Sequence, residues 1–312
     1  MSENEFRSSR QKGKMKRESL FSLYSKNLSF YMPESADQFL CPVCKSIITG
    51  VDLEQDPLKI SIAHIIPKSM QGRLTTLACA KCDQRIGGDF DRHLSIEKRL
   101  IDQLREEKGI HCRIKCGSET YGAMFGNMSN NKIYIKPQGN VPFPIWKRRM
   151  DKLVDLNKFS LNLRLNPFDP QKRNISHIYS AFLLLFSKFG YEYILSPNTD
   201  QVREVLIGND SLLNIRRLVV DLPSSLLPTQ IPSINILVNP KEYRTFFIIL
   251  PSPKPDRVRC LFLPGFGKSG EEGYHNLVSL IGTQLNLEAE YKTFSMPNCS
   301  LYLGHIRLKG FG

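Results

Sequence analysis

Residues 77–94 read LACAKCDQRIGGDFDRHL, and together with the tetrapeptide CPVC at residues 41–44 they decide how the fold is interpreted. Each stretch holds two cysteines separated by two residues, a spacing that lets two thiolates share one tetrahedral ion. Two such pairs complete the ligand set of a closed all-cysteine zinc site, and we predict a structural zinc at Cys41, Cys44, Cys79 and Cys82. The alternative is four buried cysteines without a metal.

The segment between the two cysteine pairs is too long for a simple zinc ribbon. Thirty-four residues separate Cys44 from Cys79. They include a strand-like run at residues 59–63, KISIA, which ends at His64. The sequence therefore predicts that a further structural element, ending in a histidine, is inserted between the two halves of the zinc site.

This region resembles the HNH endonucleases of the ββα-metal class. The resemblance rests on AHIIPKS at residues 63–69, on LACAKCDQRIGGDFDRHL at residues 77–94, and on the order of the flanking cysteine pairs. It covers about 55 of the 312 residues. It implies two strands and a helix around one catalytic metal ion, with a second, structural zinc that joins the ends of the module.

The resemblance also implies roles for individual residues. His64 corresponds to the histidine that acts as general base, and Asp83 occupies the position where the family usually has asparagine. Asp91 or His93 would complete the shell of a catalytic Mg²⁺ or Mn²⁺, and Asp89 is a weaker candidate. The residues alone leave simpler readings open. These are a packing histidine for His64, a helix N-cap for Asp83, and a solvated polar face for the others.

Three further features bear on this interpretation. Many members of the family carry an acidic metal ligand directly before the first histidine, and here that position is Ala63. The pair Gly87-Gly88 is expected to let the backbone turn tightly between the two motif aspartates. Four basic residues near the motif could contact phosphate oxygens or could be solvated surface charges: Lys68, Arg73, Arg85 and Arg92.

The overall charge favours a polyanionic partner. The formal net charge is +13 and the isoelectric point is about 9.4. Nucleic acid is the partner that such a surplus predicts, with DNA favoured over RNA by the resemblance, although a merely soluble basic protein is the alternative. The N-terminal residues show no apolar leader, and the apolar runs are too short to span a bilayer. We expect a cytoplasmic protein without a membrane partner.

The predicted fold class is α+β, with a small zinc-stapled ββα-metal nuclease module and a larger mixed α+β C-terminal domain. Helical periodicity predicts a helix at residues 95–107 and a buried helix at 177–193, and β-rich runs predict strands within 110–140 and 230–265. The proline-rich stretch 137–144 indicates a boundary. The predicted domains are a basic mobile tail (1–18), the HNH module with flanking helices (19–110), a β-rich connector (111–144) and a recognition or regulatory domain (145–312).

The sequence is thus expected to encode a metal-dependent DNA endonuclease that acts in bacterial or phage defence or restriction. Two alternatives stand beside this expectation. One is a catalytically inactive, zinc-containing module that binds nucleic acid. The other is an effector subunit that becomes active only when a regulatory protein partner binds the C-terminal domain. The oligomeric state is not encoded in any feature of the sequence.

Overall fold

In the computed structural model, the described residues are 3–105, 110–116, 118–128, 132–137, 141–155, 160–163, 168–208, 219–226, 231–280 and 289–294. They form a mixed α+β protein that divides into two compact units. The first unit combines Met1–Arg92 with Pro170–Gly312, and the second unit is the intervening segment His93–Asp169. Among the described helices, none is both long enough and apolar enough to cross a bilayer.

The N-terminal part of the first unit carries the cysteines and His64 on short elements. These are α1 (Glu3–Tyr31), β1 (Gln38–Leu40), β2 (Ile47–Thr49), α2 (Gly50–Gln55), β3 (Ile60–His64), β4 (Thr75–Cys79) and α3 (Ala80–Ile86). The strands β1 and β2 form one antiparallel pair, and β3 and β4 form another. A π-helical turn, Gly87–Asp91, continues α3.

Helix α1 corrects one prediction. The sequence predicts a basic mobile tail over residues 1–18, whereas in the structure residues 3–18 form the first half of this 29-residue helix. The second half is held by buried apolar side chains at helical spacing: Leu20, Phe21, Tyr24 and Leu28. Once a helix is nucleated by such packing, adding each further residue costs little, and the Lys, Arg, Gln and Glu residues before Leu20 are good helix formers.

The second unit is a four-stranded antiparallel sheet with one packed face. Its elements are α4 (Arg92–Arg105, which starts at the unit boundary), β5 (Ile110–Cys116), β6 (Glu119–Met128), β7 (Lys132–Pro137), α5 (Phe143–Asp155) and β8 (Ser160–Leu163). The strand order is β7-β6-β5-β8. Trp146 of α5 is buried against Cys112, Ile114, Tyr121 and Ala123 of the sheet, so α5 covers one face. The predicted helix at 95–107 is confirmed over residues 95–105, and its last two positions lie outside the described residues. The strands predicted within 110–140 are confirmed.

The C-terminal part of the first unit is built on a second sheet. Its elements are α6 (Pro170–Phe189), α7 (Tyr191–Ile194), α8 (Asp200–Ile207), β9 (Val219–Pro223), β10 (Ser233–Asn239), β11 (Phe246–Pro251), β12 (Arg257–Leu263), α9 (Gly267–Leu280) and β13 (Glu290–Phe294). The sheet is antiparallel with the order β13-β10-β11-β12-β9. The strands predicted within 230–265 are confirmed, and the predicted buried helix begins earlier, at Pro170.

One hydrophobic core joins the cysteine-bearing segments to the C-terminal sheet. Helix α6 is its centre, since Ala181–Phe186 are all completely buried. The same core contains Tyr24 of α1, whose ring stacks on Phe186 at 4.4 Å between centroids. The units therefore differ from the predicted domains. The boundary indicated by the proline-rich stretch lies inside the second unit, and the segment from Pro170 onward packs with the cysteine-bearing segments.

Candidate metal centre and acidic pocket

The four predicted zinc ligands converge. The sulfur atoms of Cys41, Cys44, Cys79 and Cys82 all lie within 4.8 Å of one another, and the Sγ atoms of Cys44 and Cys79 are 3.6 Å apart. Tetrahedral zinc with bonds of about 2.3 Å needs sulfur–sulfur distances of about 3.8 Å. The donor set and its spacing therefore fit a zinc ion, and this four-cysteine cluster could bind one.

Local backbone structure explains why the cysteines converge. Cys79 ends β4 and caps α3, because its sulfur accepts the backbone N–H of Cys82 at 3.4 Å. Its own N–H donates to the sulfur of Cys41, also at 3.4 Å. Lys45 adopts a φ of +58° and donates its N–H to the carbonyl of Cys41, which closes the first turn. Backbone N–H groups directed at sulfur favour thiolate, the form that binds metal.

The strand pair β3–β4 places His64 away from the cysteines. In its antiparallel register Ile60 lies opposite Cys79, and His64 lies opposite Thr75 at the other end. Four residues of strand correspond to roughly 13 Å. Helix α3 follows β4 directly, so the chain runs strand, strand, helix, with the cysteine cluster at one end and His64 at the other.

A pocket of about 190 Å³ lies beside His64. Its lining residues come from the loop after β3 and from one side of α3 and the π-helical turn: His64, Pro67, Lys68, Ser69, Asp83, Gly87 and Asp91. The pocket thus brings together three of the predicted catalytic residues, His64, Asp83 and Asp91. Lys68, predicted as a phosphate contact, lies in the same lining.

The loop that delivers Lys68 and Ser69 is tightly folded. Gln71 has a φ of +62°, and the N–H of Gly72 donates to the carbonyl of Pro67 at 3.2 Å. A Cβ atom on Gly72 would lie 1.9 Å from the carbonyl oxygen of Ile66, so only glycine fits there. The conformation of this short loop holds Lys68 and Ser69 at the pocket.

The two aspartates share a helix face because of the π-helical turn. Asp83 and Asp91 are eight residues apart, a spacing that would leave them about 80° apart around a regular α-helix. A π turn contains roughly one residue more than an α turn, which brings positions eight apart into line. The prediction of a tight turn at Gly87-Gly88 was therefore wrong, because both glycines lie within continuous helix. Gly87 lies between the aspartates, and a Cβ there would meet open space.

Hydroxyl groups hold both carboxylates, and sequence reasoning missed all three donors. The Ser61 hydroxyl donates to one oxygen of Asp83, and the Tyr179 hydroxyl lies 3.5 Å from the other. The Ser176 hydroxyl donates to Asp91. Ser176 and Tyr179 are buried and lie one turn apart on α6, shortly before the apolar run at residues 181–186. Two hydroxyls at i and i+3 beside such a run are the signal that could have identified them.

A buried ion pair anchors α6 in turn. His177 follows Ser176, and its Nε2 accepts a hydrogen bond from the guanidinium of Arg259 at 2.7 Å. Arg259 is almost fully buried and contacts the carboxylate of Asp221 through Nε at 2.6 Å and Nη2 at 3.1 Å. The C-terminal sheet, through β9 and β12, therefore fixes the helix that supports the acidic pocket.

The pKa values of His64 and Asp91 are shifted in opposite directions. Partial burial, together with the charge of Lys68, lowers the pKa of His64 below its usual value, and Asp83 partly offsets this. The ring is therefore neutral at pH 7 and can accept a proton. Burial raises the pKa of Asp91 to about 6, with a further contribution from the charge of Asp83, while the Ser176 hydrogen bond opposes the shift.

The other predicted site residues lie elsewhere. His93 belongs to the second unit, where it is buried and its Nδ1 accepts the backbone N–H of Asp169 at 3.1 Å. Asp89 is exposed on the π-helical turn and does not line the pocket. Asp83 lies inside the first turn of α3 and is not its N-cap, which is Cys79. Ala63 is completely buried in the core, so its side of β3 faces packed residues.

The remaining basic residues have different surroundings. Arg73 and Arg92 are exposed. Arg85 is only partly exposed, and its Nη1 donates to the carbonyl of Ile207 at the C-terminal end of α8, at 2.6 Å. This hydrogen bond satisfies one of the carbonyl groups left open at a helix end, so the structure gives Arg85 a stabilising contact.

Comparison of the chain with models of protein families, with curated proteins and with solved structures gives no match. The geometry of the described residues therefore supports two statements directly. The chain is a mixed α+β protein, and it contains a four-cysteine cluster that could hold a zinc ion.

Proposed function

We propose that this protein is a metal-dependent endonuclease of the HNH type that hydrolyses phosphodiester bonds in DNA. The observation that carries the proposal is the pocket in which His64 lies with Asp83 and Asp91. A base and two carboxylates in one small, open, polar pocket are the groups that metal-assisted hydrolysis of a phosphodiester needs. The order strand, strand, helix around this pocket agrees with the resemblance of AHIIPKS and the following cysteine-containing stretch to that family.

His64 serves as the general base in this proposal. Its lowered pKa keeps the imidazole neutral at pH 7, so the ring can take a proton from a water molecule beside the scissile phosphate. The attack of that water forms the new bond to phosphorus, and the bond to the leaving oxygen breaks. His64 is the last residue of β3, and the pairing of β3 with β4 fixes the position of the histidine beside the pocket.

Asp83 and Asp91 would hold one Mg²⁺ or Mn²⁺ ion. Carboxylate oxygen is the ligand type both ions prefer, and the hydroxyls of Ser61 and Ser176 fix the two carboxylates. When bound, such an ion stabilises the negative charge that develops on the phosphate in the transition state. The buried Ala63 supplies no ligand, so these two residues carry the protein's share of the coordination.

Lys68 and Ser69 are the substrate-binding groups of the pocket in this proposal. Both lie in its lining beside His64. An ammonium and a hydroxyl at this place can donate to the non-bridging oxygens of the phosphate and orient it for attack. The zinc at the cysteine cluster would be structural, because four cysteines leave no open coordination position for substrate.

A second candidate function is a nucleic-acid-binding module that does not cut. The buried Ala63 favours it, because this position lacks the acidic ligand that many HNH enzymes carry. An effector that requires a regulatory partner is a variant of the nuclease proposal and is distinguished by adding that partner.

The test is nicking of supercoiled plasmid by the purified, zinc-loaded protein with Mg²⁺ or Mn²⁺, beside the His64→Ala variant. General-base catalysis contributes about 10²- to 10⁴-fold, so we expect His64→Ala to slow nicking by at least about 100-fold. The matched control is His275→Ala, which removes an exposed histidine of α9 that lies 3.3 Å from the side-chain amide of Gln201 and does not line the pocket. This control should nick at the wild-type rate. DNA binding without nicking under either metal would instead support the binding module.

A further inference from the structure

The second unit has a basic sheet face that the proposed pocket does not use. In β5, Cys112 and Ile114 are buried against α5, whereas Arg113 and Lys115 are exposed on the other side of the strand. In β6, Tyr121 and Ala123 are buried while Thr120 and Gly122 are exposed. This alternation means that one face of the sheet packs on α5 and the opposite face, the basic sheet face, meets solvent.

The strand register defines which residues share this face. Arg113 lies opposite Gly122, and Lys115 lies opposite Thr120. On the next strand Lys136, also exposed, lies opposite Met124. The described positions of the basic sheet face are therefore Arg113, Lys115, Thr120, Gly122, Met124 and Lys136. Three of these six are cationic, and none of these described positions is acidic.

The second unit as a whole is also rich in basic residues. Residues 93–169 contain 14 lysines and arginines against 8 aspartates and glutamates. This is a net charge of +6 in about a quarter of the chain, out of +13 in total.

Arg113 and Lys115 are two positions apart on one strand, hence about 7 Å apart, and their like charges repel. Their cross-strand partners, Gly122 and Thr120 on β6 and Asn162 and Ser160 on β8, carry no charge.

We propose that the basic sheet face of the second unit binds the phosphate backbone of duplex DNA. The proposal rests on the proposed nuclease function for the identity of the anion, and on the charge and exposure of Arg113 and Lys115 for the place of contact. A regular polyanion complements exposed cations such as Arg113 and Lys115, and the small residues Thr120 and Gly122 let the DNA backbone approach the sheet. Contacts of this kind position the substrate without reading its sequence.

The test is the affinity of the full chain for a fluorescent 30-base-pair DNA duplex, measured by anisotropy at several salt concentrations with no Mg²⁺ or Mn²⁺ added. The double variant Arg113→Glu/Lys115→Glu should weaken binding by about tenfold or more. It should also reduce the slope of log affinity against log salt by about two, since two phosphate contacts are lost. The milder Arg113→Gln/Lys115→Gln variant, checked for an unchanged melting temperature, should weaken binding in the same direction.

The matched control is Lys147→Glu/Arg148→Glu. These two residues are exposed on α5, in the same unit, and the substitution changes the net charge equally. We expect this control to weaken binding by less than about twofold. Equal losses in the two double variants would overturn the proposal, because they would show only a general effect of net charge. Unchanged binding in both Arg113/Lys115 variants would overturn it as well.

The outcome is separable from the nuclease proposal. Binding is measured without hydrolysis, and nicking is measured with wild-type protein in the presence of Mn²⁺. A wild-type protein that binds DNA through Arg113 and Lys115 but never nicks would remove the nuclease and leave this inference standing. If the wild-type protein nicks DNA normally and the Arg113/Lys115 variants bind DNA with unchanged affinity, this inference is overturned and the nuclease proposal stands.

Discussion

The cysteine cluster and the pocket beside His64 lie at opposite ends of the strand pair β3–β4, and they are constructed differently. The cluster is made by two short turns, it buries three of its four cysteines, and backbone N–H groups contact its sulfurs. The pocket is open, it gathers residues from a loop and a distorted helix, and its carboxylates depend on hydroxyls from α6.

Because of this difference, we expect the cysteine cluster to contribute to stability and the pocket to contribute to the proposed chemistry. A closed, all-cysteine cluster uses all its ligands on the metal, so its contribution is to folding. The pocket keeps polar groups in a partly buried position and raises the pKa of Asp91, which costs stability in the absence of a cation. Groups held at such a cost are typical of functional sites. Variants at the two ends should therefore affect different measurements.

The largest expected effect is at the cysteine cluster. Cys82→Ser removes one of four thiolates, so zinc content should fall from one ion per chain to well below one. The free energy of unfolding should fall by at least about 3 kcal/mol, because metal binding here contributes to folding. Elemental analysis and denaturant unfolding measure the two quantities. The control Cys260→Ala, at a buried cysteine outside the cluster, should keep one zinc. Full zinc occupancy in Cys82→Ser would contradict the assignment.

The next effect concerns Asp91 in protein that carries zinc but no Mg²⁺ or Mn²⁺. Its folded-state pKa of about 6 lies above the unfolded value, so the folded state favours the protonated form. The stability that Asp91 contributes is therefore lost as the pH rises. Asp91→Asn keeps an acceptor for Ser176 and removes the charge, and it should stabilise the protein by about 1–2 kcal/mol at pH 7.5. Thermal unfolding should show a smaller gain at pH 5, and a gain independent of pH would show that charge burial is not the cause.

A smaller effect is expected at the hydroxyl that fixes Asp91. Ser176→Ala removes a hydrogen bond to a carboxylate, so the carboxylate is less well oriented for a cation. The Mn²⁺ concentration for half-maximal nicking should rise about three- to tenfold, while zinc content stays the same. Ser180→Ala is the matched control, because Ser180 is also a buried serine of α6 and lies one turn after Ser176. Identical Mn²⁺ dependence in the two variants would contradict a positioning role for Ser176.

The smallest effect on stability is expected at His64. The residue is only partly buried and lies at a strand end, so His64→Ala should change the free energy of unfolding by less than about 1 kcal/mol. Calorimetry of the zinc-loaded variant measures this. A loss comparable to that of Cys82→Ser would show that His64 is part of the structural framework and would weaken its assignment as a base.

The sequence predicted the parts of the site that depend on local spacing. Two residues between cysteines suffice to bring two thiolates together, and the strand ending at His64 follows from residue type and alternation. The same holds for some of the helices and strands, including β5, α6 and β11, whose apolar patterns are strong. The N-terminal helix was missed because residues 3–18 lack an apolar stripe, and their helical state depends on the packed half that follows.

The remaining features depend on contacts distant in sequence. Asp83 and Asp91 share a face only because the helix takes a π-helical turn, which no periodicity in the sequence encodes. Ser176 lies 85 residues beyond Asp91, and nothing near either residue predicts their contact. The unit boundary at Arg92 carries no linker composition, whereas the proline-rich stretch 137–144 does and lies inside a unit. Composition marks loops, and it does not tell which of them separate compact units.

The measurement that tests the central claim most directly is plasmid nicking with Mn²⁺ by wild-type protein and by Asp91→Asn, both with zinc content confirmed at one ion per chain. The account predicts that the wild type nicks only when Mn²⁺ or Mg²⁺ is added. It also predicts that Asp91→Asn, although at least as stable, nicks about 100-fold more slowly or not at all. Nicking by Asp91→Asn at the wild-type rate would contradict the assignment of the pocket as a metal-dependent hydrolytic site.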